Sequence, residues 1–206
     1  MDARANKTKA GSAATTADTA GVAPGATIDP DVRIGHVHLK VADIERSLAF
    51  YCGVLGFQLM QKLGPESAPS AAFISAGGYH HHIGLNTWES RGGRPPAPGT
   101  TGLYHLAIVY PTRAKLADAL RRLIKAKISL EGASDHGVSE ALYLRDPDDN
   151  GVELYWDRPQ ELWPRTADGR LAMFTRRLDL MNLLAEQDAA ATEQIDAPLF
   201  QPLRQT

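Results

Sequence analysis

Cysteine is almost absent from this chain of 206 residues: Cys52 is the only one. A lone thiol excludes an internal disulfide framework and suits a reducing compartment, so a cytoplasmic setting is expected. Charge of one sign is lacking too. Asp and Glu number 24 against 22 Lys and Arg, a formal net charge of −2, which removes the electrostatic case for nucleic acid. No apolar run approaches the length that a membrane span needs. The first thirty or so residues are rich in Ala, Thr and Gly and nearly free of large apolar groups. They have no hydrophobic centre of the secretory type. They cannot bury enough surface to order themselves, so residues 1–30 are expected to form a flexible tail. The remainder is long enough for one or two small domains with a real core.

What the chain does have is a repeat. Ile34 to Asp43 and Leu103 to Thr112 read as copies, each an apolar strand running into a helical pattern. In both, a histidine, His36 or His105, stands seven residues before an expected helix N-cap, Asp43 or Thr112. The first unit, residues 31–92, reads as a strand over Ile34 to Val41 and a helix from about Ile44. Ile44, Leu48, Tyr51 and Leu55 form its apolar stripe, and Gly53 and Gly56 end it. Three strands follow, Phe57 to Leu63, Ala71 to Ser75 and His80 to Trp88.

A Gly- and Pro-rich connector occupies residues 93–102, and the pattern then repeats over 103–160. Leu103 to Tyr110 is a strand, and Arg113 to Lys127 a helix with Leu116, Leu120, Leu123 and Ile124 inward. Ile128 to Glu131, Glu140 to Arg145 and Val152 to Trp156 are the remaining strands. Asp146 to Gly151 is the last hairpin loop, with Asn150-Gly151 supplying residues that tolerate positive φ. Residues 161–206 form an extension with one amphipathic helix, marked by Leu178, Met181, Leu184 and Ala185 with Asp179 near its start. That helix is expected to dock on the domain surface.

Glu153 sits in a strand whose neighbours Val152, Leu154, Tyr155 and Trp156 are apolar on both faces. A carboxylate there needs a cation to offset its desolvation. Two histidines brought side by side by duplication, plus this carboxylate, are the donor set of a facial iron(II) site with open positions. His38 shares a face with His36 by strand alternation and is an alternative ligand. The matched offset to the helix caps favours His36 and leaves His38 as a polar pocket wall.

The stretch from His136 to Glu153, with its Leu142-Tyr143 pair, its Asp146-Pro147 turn and its terminal glutamate, resembles the signature of the extradiol ring-cleaving dioxygenases. One position departs, Asp149, where that signature usually has Gly or Pro. From Ile34 to Pro159 the chain is similar to the vicinal-oxygen-chelate superfamily, which includes glyoxalase I, bleomycin-resistance proteins and the catechol 2,3-dioxygenase branch. The resemblance implies an α+β fold in which two tandem β-α-β-β-β units form a curved mixed sheet around a metal-binding cup. It implies a non-haem Fe(II) enzyme, with Mn(II) as a substitute metal, that opens a catechol with dioxygen to a hydroxymuconic-semialdehyde-type product.

In that reading His36, His105 and Glu153 hold the metal. His81 matches the acid–base histidine of the family, with His82 the alternative if the strand is regular and Asn86 faces the cup. His136 and Tyr143 match the remaining polar positions, and Trp88, Trp156 and Asn86 serve packing or the pocket wall. The expected partners are a catecholic substrate and dioxygen, without nucleic acid or membrane, and a homo-oligomer is compatible. Two rivals share the fold. A glyoxalase-like isomerase needs a fourth ligand, a glutamate on the last strand of the first unit, where no acid occurs before Glu89. A metal-free small-molecule-binding protein has no need of two histidines and a glutamate together.

Overall fold

Two helix N-caps open the two halves in the same way. The Asp43 carboxylate accepts the N–H of Arg46, and the Thr112 hydroxyl accepts that of Lys115. In the computed structural model, which describes residues 27–65 and 68–186, each cap follows a short strand of a separate mixed sheet. Most of the expected flexible tail, residues 1–26, lies outside the described residues. Among the described residues, those from Gly35 to Glu186 form one compact unit, distinct from residues 27–34.

The first sheet has four strands, β1 (Val37–Lys40), β2 (Gln58–Leu63), β3 (Ala71–Ser75) and β4 (Ile83–Asn86), in the order β1-β4-β3-β2. The second contains β5 (Leu106–Val109), β6 (Gly132–Asp135), β7 (Ser139–Arg145) and β8 (Gly151–Asp157), with a short β9 (Arg176–Arg177), in the order β5-β8-β7-β6-β9. In each half the first strand pairs parallel to the fourth and the other pairs are antiparallel. The duplication is thus topological as well as local, and the fold is α+β.

Several boundaries differ from expectation. The first helix is not one continuous α-helix. The α-helix α1 (Ile44–Leu48) passes into π-helical turns over Ala49–Val54, closed by the Leu55 N–H on the Phe50 carbonyl at 3.0 Å. Gly56 then takes φ +90, a conformation glycine adopts without a Cβ penalty. The Arg122 guanidinium occupies the space of the missing side chain and donates to the Leu55 carbonyl. The strand expected over His80 to Trp88 is regular only over β4, so the three histidines precede it and strand alternation does not decide their directions. Residues 128–131 are not a strand; that pairing is made by β6, four residues later.

In the last hairpin loop Asp149, not Asn150 or Gly151, takes the positive φ, and Gly151 belongs to β8. Ile124 is 56% exposed on α2 (Arg113–Lys125), rather than inward. In the C-terminal helix α3 (Leu180–Leu184), Leu183 is buried and Met181 faces solvent. Its cap is Asp179, as expected, and it docks on the second half. Arg113 bonds Glu140, Asn182 and Glu186 together, and Arg121 holds the carbonyls of Leu184 and Glu186.

One apolar core serves both halves. Leu39, Ile74, Ile83 and Leu85 from the first sheet join Leu106, Leu142, Val152 and Leu154 from the second, with Tyr51 and Phe50 from the first helical segment and Leu116, Leu120 and Leu123 from α2. Polar ties fix the halves across it. The buried Tyr51 hydroxyl donates to Asp146 Oδ2 at 2.9 Å, and Asp148 Oδ1 accepts from the Ala42 N–H and the Arg46 guanidinium. Each sheet therefore has a face turned into this core and a face left open.

Candidate metal and substrate site

Alternation along the second sheet decides what its open face carries. Leu106, Ile108, Val152 and Leu154 point into the core, so Ala107 and Glu153, which are register partners, point out. Tyr143 is the cross-strand partner of Glu153 on the other side. His105, the residue before β5, stands on the same face. Its placement depends on Gly151, because a Cβ there would overlap the Tyr104 carbonyl oxygen and come within 2.9 Å of His105 Cβ.

These side chains form a continuous polar line. His105 Nε2 lies 3.0 Å from Glu153 Oε2. Tyr143 Oη lies 3.1 Å from Glu153 Oε1 and 2.7 Å from His136 Nε2. His136 Nδ1 is 3.2 Å from the Phe174 carbonyl and 3.1 Å from Thr175 Oγ1. A carbonyl can only accept, which assigns the ring proton to Nδ1 and makes Nε2 the acceptor in neutral His136. Burial and the adjacent Glu153 carboxylate raise the Tyr143 pKa above its ordinary value, so its hydroxyl stays protonated at neutral pH. The line borders a cavity of about 400 Å³ lined by Tyr104, His105, His136, Tyr143, Arg145 and Thr175, among others, all from the second half and its extension.

The other expected site residues stand elsewhere. His36, the residue before β1, has its ring centroid 4.4 Å from that of His81 on the open face of the first sheet. His81 also contacts Phe73 at 5.0 Å. The His38 ring lies over Gly84, where a Cβ would approach it to 2.9 Å, and packs beside Phe73 and the exposed Trp88. Desolvation, followed by the neighbouring His36, lowers the His38 pKa. Desolvation, followed by the surrounding imidazoles, lowers that of His81. His82 instead turns to Ser75 Oγ and accepts the Ala76 N–H, and His80 stacks on Tyr79. Asn86 is buried and accepts the Trp88 N–H, while Trp156 packs against the core.

The structure thus brings His105, Glu153, Tyr143 and His136 together, and separately His36 with His81. Among the described residues no group of three His, Cys, Asp or Glu side chains stands close enough to share a metal ion. The His105–Glu153 pair suits a divalent cation in charge and donor type. It supplies two donors, one fewer than the three protein ligands of a facial site.

Thr175 and the Phe174 carbonyl were not foreseen as site groups. They lie nearly forty residues beyond His136, in the stretch read as an extension, and no local pattern marks them. Tyr104 had one available signal, its adjacency to His105; it is 80% exposed at the cavity rim.

The family model described as Glyoxalase/Bleomycin resistance protein/Dioxygenase superfamily matches residues 33–154. A catechol-2,3-dioxygenase of Bacillus subtilis (strain 168) is 42% identical over 160 residues, covering 78% of this chain and 54% of that protein. The chain therefore spans about half the length of that relative. Biphenyl-2,3-diol 1,2-dioxygenase 3 of Rhodococcus globerulus is 31% identical over 131 residues, covering 64% of this chain and 65% of that protein. Among solved structures, a glyoxylase/bleomycin resistance protein/dioxygenase domain from Frankia sp. EAN1pec superimposes with a TM-score of 0.53 at 24% identity, over 62% of this chain and 98% of its own; it shares the fold. With its two topologically equivalent halves and the match over both of them, this chain belongs to the glyoxalase/bleomycin resistance/dioxygenase superfamily.

Proposed function

We propose that this protein is an Fe(II)-dependent extradiol dioxygenase that opens a catechol ring next to its diol, in the breakdown of aromatic compounds in the cytoplasm. The observation that carries the reading is the line His105–Glu153–Tyr143–His136 beside the cavity. A catechol fits the cavity by size, and its two hydroxyls call for a divalent cation and a proton acceptor. His105 and Glu153 provide a nitrogen and an oxygen donor; iron held there would supply the redox chemistry between ring and dioxygen. The similarity to two named catecholic dioxygenases supports the same choice.

The residues of the chain have separable tasks. Tyr143 presents a phenolic O–H between Glu153 and His136, where it can hydrogen-bond a substrate oxygen. His136 Nε2 can take a proton at that position and return it, and the Phe174 carbonyl and Thr175 hold its ring in the orientation that keeps Nε2 aimed at Tyr143. Tyr104 and the methylene groups of Arg145 wall the substrate from water. His81 is the further acid–base group of the reading. It stays beside His36, so it takes part only where His36 does.

The test is anaerobic reconstitution with Fe(II), then addition of catechol and oxygen. A yellow, ring-opened semialdehyde is the expected product. Absence of product with simple and substituted catechols alike, from protein that has bound iron, would refute the assignment.

A further inference from the structure

We infer that the cavity on the second sheet selects catechols carrying a carboxylate across the ring from the diol, and that the Arg145 guanidinium binds that carboxylate. The inference rests on the ring-cleavage reading, which places the diol at the His105–Glu153 pair and the Tyr143 hydroxyl.

Charge singles this side chain out. Among the described residues that line the cavity, Arg145 carries the only fixed positive charge. Strand geometry gives it the reach. Arg145 follows Tyr143 by two positions on β7, so both side chains leave the same face, with their Cα atoms roughly 7 Å apart. A catechol laid along that face with its diol at Tyr143 turns its far ring carbon toward Arg145. The register partner of Arg145 on β8 is Gly151, and its missing side chain lets the Tyr104 backbone come in close. The Tyr104 ring borders the same cavity and offers the substrate ring a surface to pack on.

The guanidinium is oriented before any ligand arrives. Its Nε donates to Glu131 Oε2 at 2.9 Å and its Nη1 to the Asp149 carbonyl at 3.0 Å. Nη2 has no partner among the described residues, so both of its N–H groups are available to a carboxylate. A fork fixed in this way loses little further side-chain freedom on binding. The Glu131 hydrogen bond raises the Arg145 pKa against desolvation, and the charges of Glu131, Tyr104 and Asp149 add to the shift, so the group stays cationic. Glu131 is also the internal competitor. Its side chain is half exposed and meets Nε alone, which leaves Nη2 to the substrate without breaking the pair.

The test compares kcat/KM of the iron-loaded enzyme for two carboxylates, dihydroxyphenylacetate and dihydroxybenzoate, with that for the neutral ethylcatechol and methylcatechol, all substituted across the ring from one diol oxygen. At least one carboxylate should be preferred over its neutral counterpart by about 10- to 100-fold, the range of a hydrogen bond to a charged group. Arg145→Gln should erase the preference, and Arg145→Lys should keep part of it, because an ammonium retains the charge without the planar fork. Glu131→Gln should raise the preference several-fold, since it removes the competing charge and leaves an acceptor for Nε. The ratio is internal to each variant, so partial loss of folded protein does not alter it. A purely structural Arg145–Glu131 pair predicts that both Gln variants lower turnover of all four catechols alike, and that result would overturn the inference.

Equal kcat/KM within each pair for the wild type, or a preference that survives Arg145→Gln, would also overturn it while leaving ring cleavage intact. Where the iron-loaded protein opens none of the four, calorimetric titration of the Co(II)-loaded protein with the same catechols decides. A carboxylate preference that Arg145→Gln abolishes keeps the anion subsite and drops the ring-cleavage reading; no such preference drops both.

Discussion

Between Glu153 and His136 the tyrosine hydroxyl has one hydrogen for two acceptors when His136 is neutral. The line is satisfied in full only when a second proton enters it; in the proposed reaction that proton comes from the substrate and goes to His136 Nε2. Tyr143→Phe removes the shared hydroxyl and leaves the ring, so kcat should fall by on the order of 100-fold with a smaller change in KM, measured in steady-state ring-cleavage assays. Glu153→Gln keeps the volume and removes the charge; Co(II) titration by calorimetry should show tight binding lost while the thermal unfolding midpoint of the metal-free protein stays near wild type. Sequence marked both residues because they fall within one local signature. It could not mark Thr175, whose importance comes from a tertiary contact.

At the scale of elements, Gly56 in the first half and Gly151 in the second have different tasks. Gly56 ends a helix at positive φ, whereas Gly151 has ordinary extended geometry and gives room to the Tyr104 carbonyl. Gly151→Ala should therefore push β5 from β8, destabilise the fold by about 1–3 kcal/mol in urea unfolding, and weaken Co(II) binding through His105. The loop before Gly151 fastens the two halves. Asp146 accepts the N–H groups of Asp148 and Asn150, the Asn150 amide and the Tyr51 hydroxyl. Tyr51→Phe leaves that buried carboxylate one donor short and should cost about 1.5–3 kcal/mol by the same measurement. The His80-His81-His82 run illustrates why elements are harder to read than residues. Its interpretation depended on a regular strand, and β4 begins only at Ile83.

At the scale of the molecule, the extension is built into the second half rather than hung from it. Arg158 joins Asp135 and Glu140, and Arg113 carries the network on from Glu140 to α3. The Arg158 hydrogen bonds hold the Asp135 pKa below its ordinary value. A carboxylate with a depressed folded pKa stabilises the protein above its unfolded pKa, and that contribution disappears as pH falls through the folded value. The stability difference between wild type and Asp135→Asn should therefore be present at pH 6–7, start to shrink near roughly pH 4, and vanish only below the depressed folded pKa, followed by urea unfolding across pH. The common core and its polar ties also set which sheet faces remain open.

The sequence by itself determined the repeat. Both strand–cap–helix starts, the heptad-spaced leucines of α2, and the His136 to Glu153 signature are local patterns, and local backbone preference with side-chain periodicity suffices to fix them. It also singled out His105 and Glu153, through the repeated histidine offset and the apolar neighbours of Glu153; that the two stand side by side at the parallel β5 and β8 is a tertiary finding. Whether His36 joins that pair was decided at the tertiary level. The repeat makes His36 and His105 equivalent within their units, but equivalence carries no information about how one unit packs on the other. That packing is set by Tyr51, Asp146, Asp148, Arg46 and Arg122, contacts between residues far apart in the chain whose partners no periodicity can name.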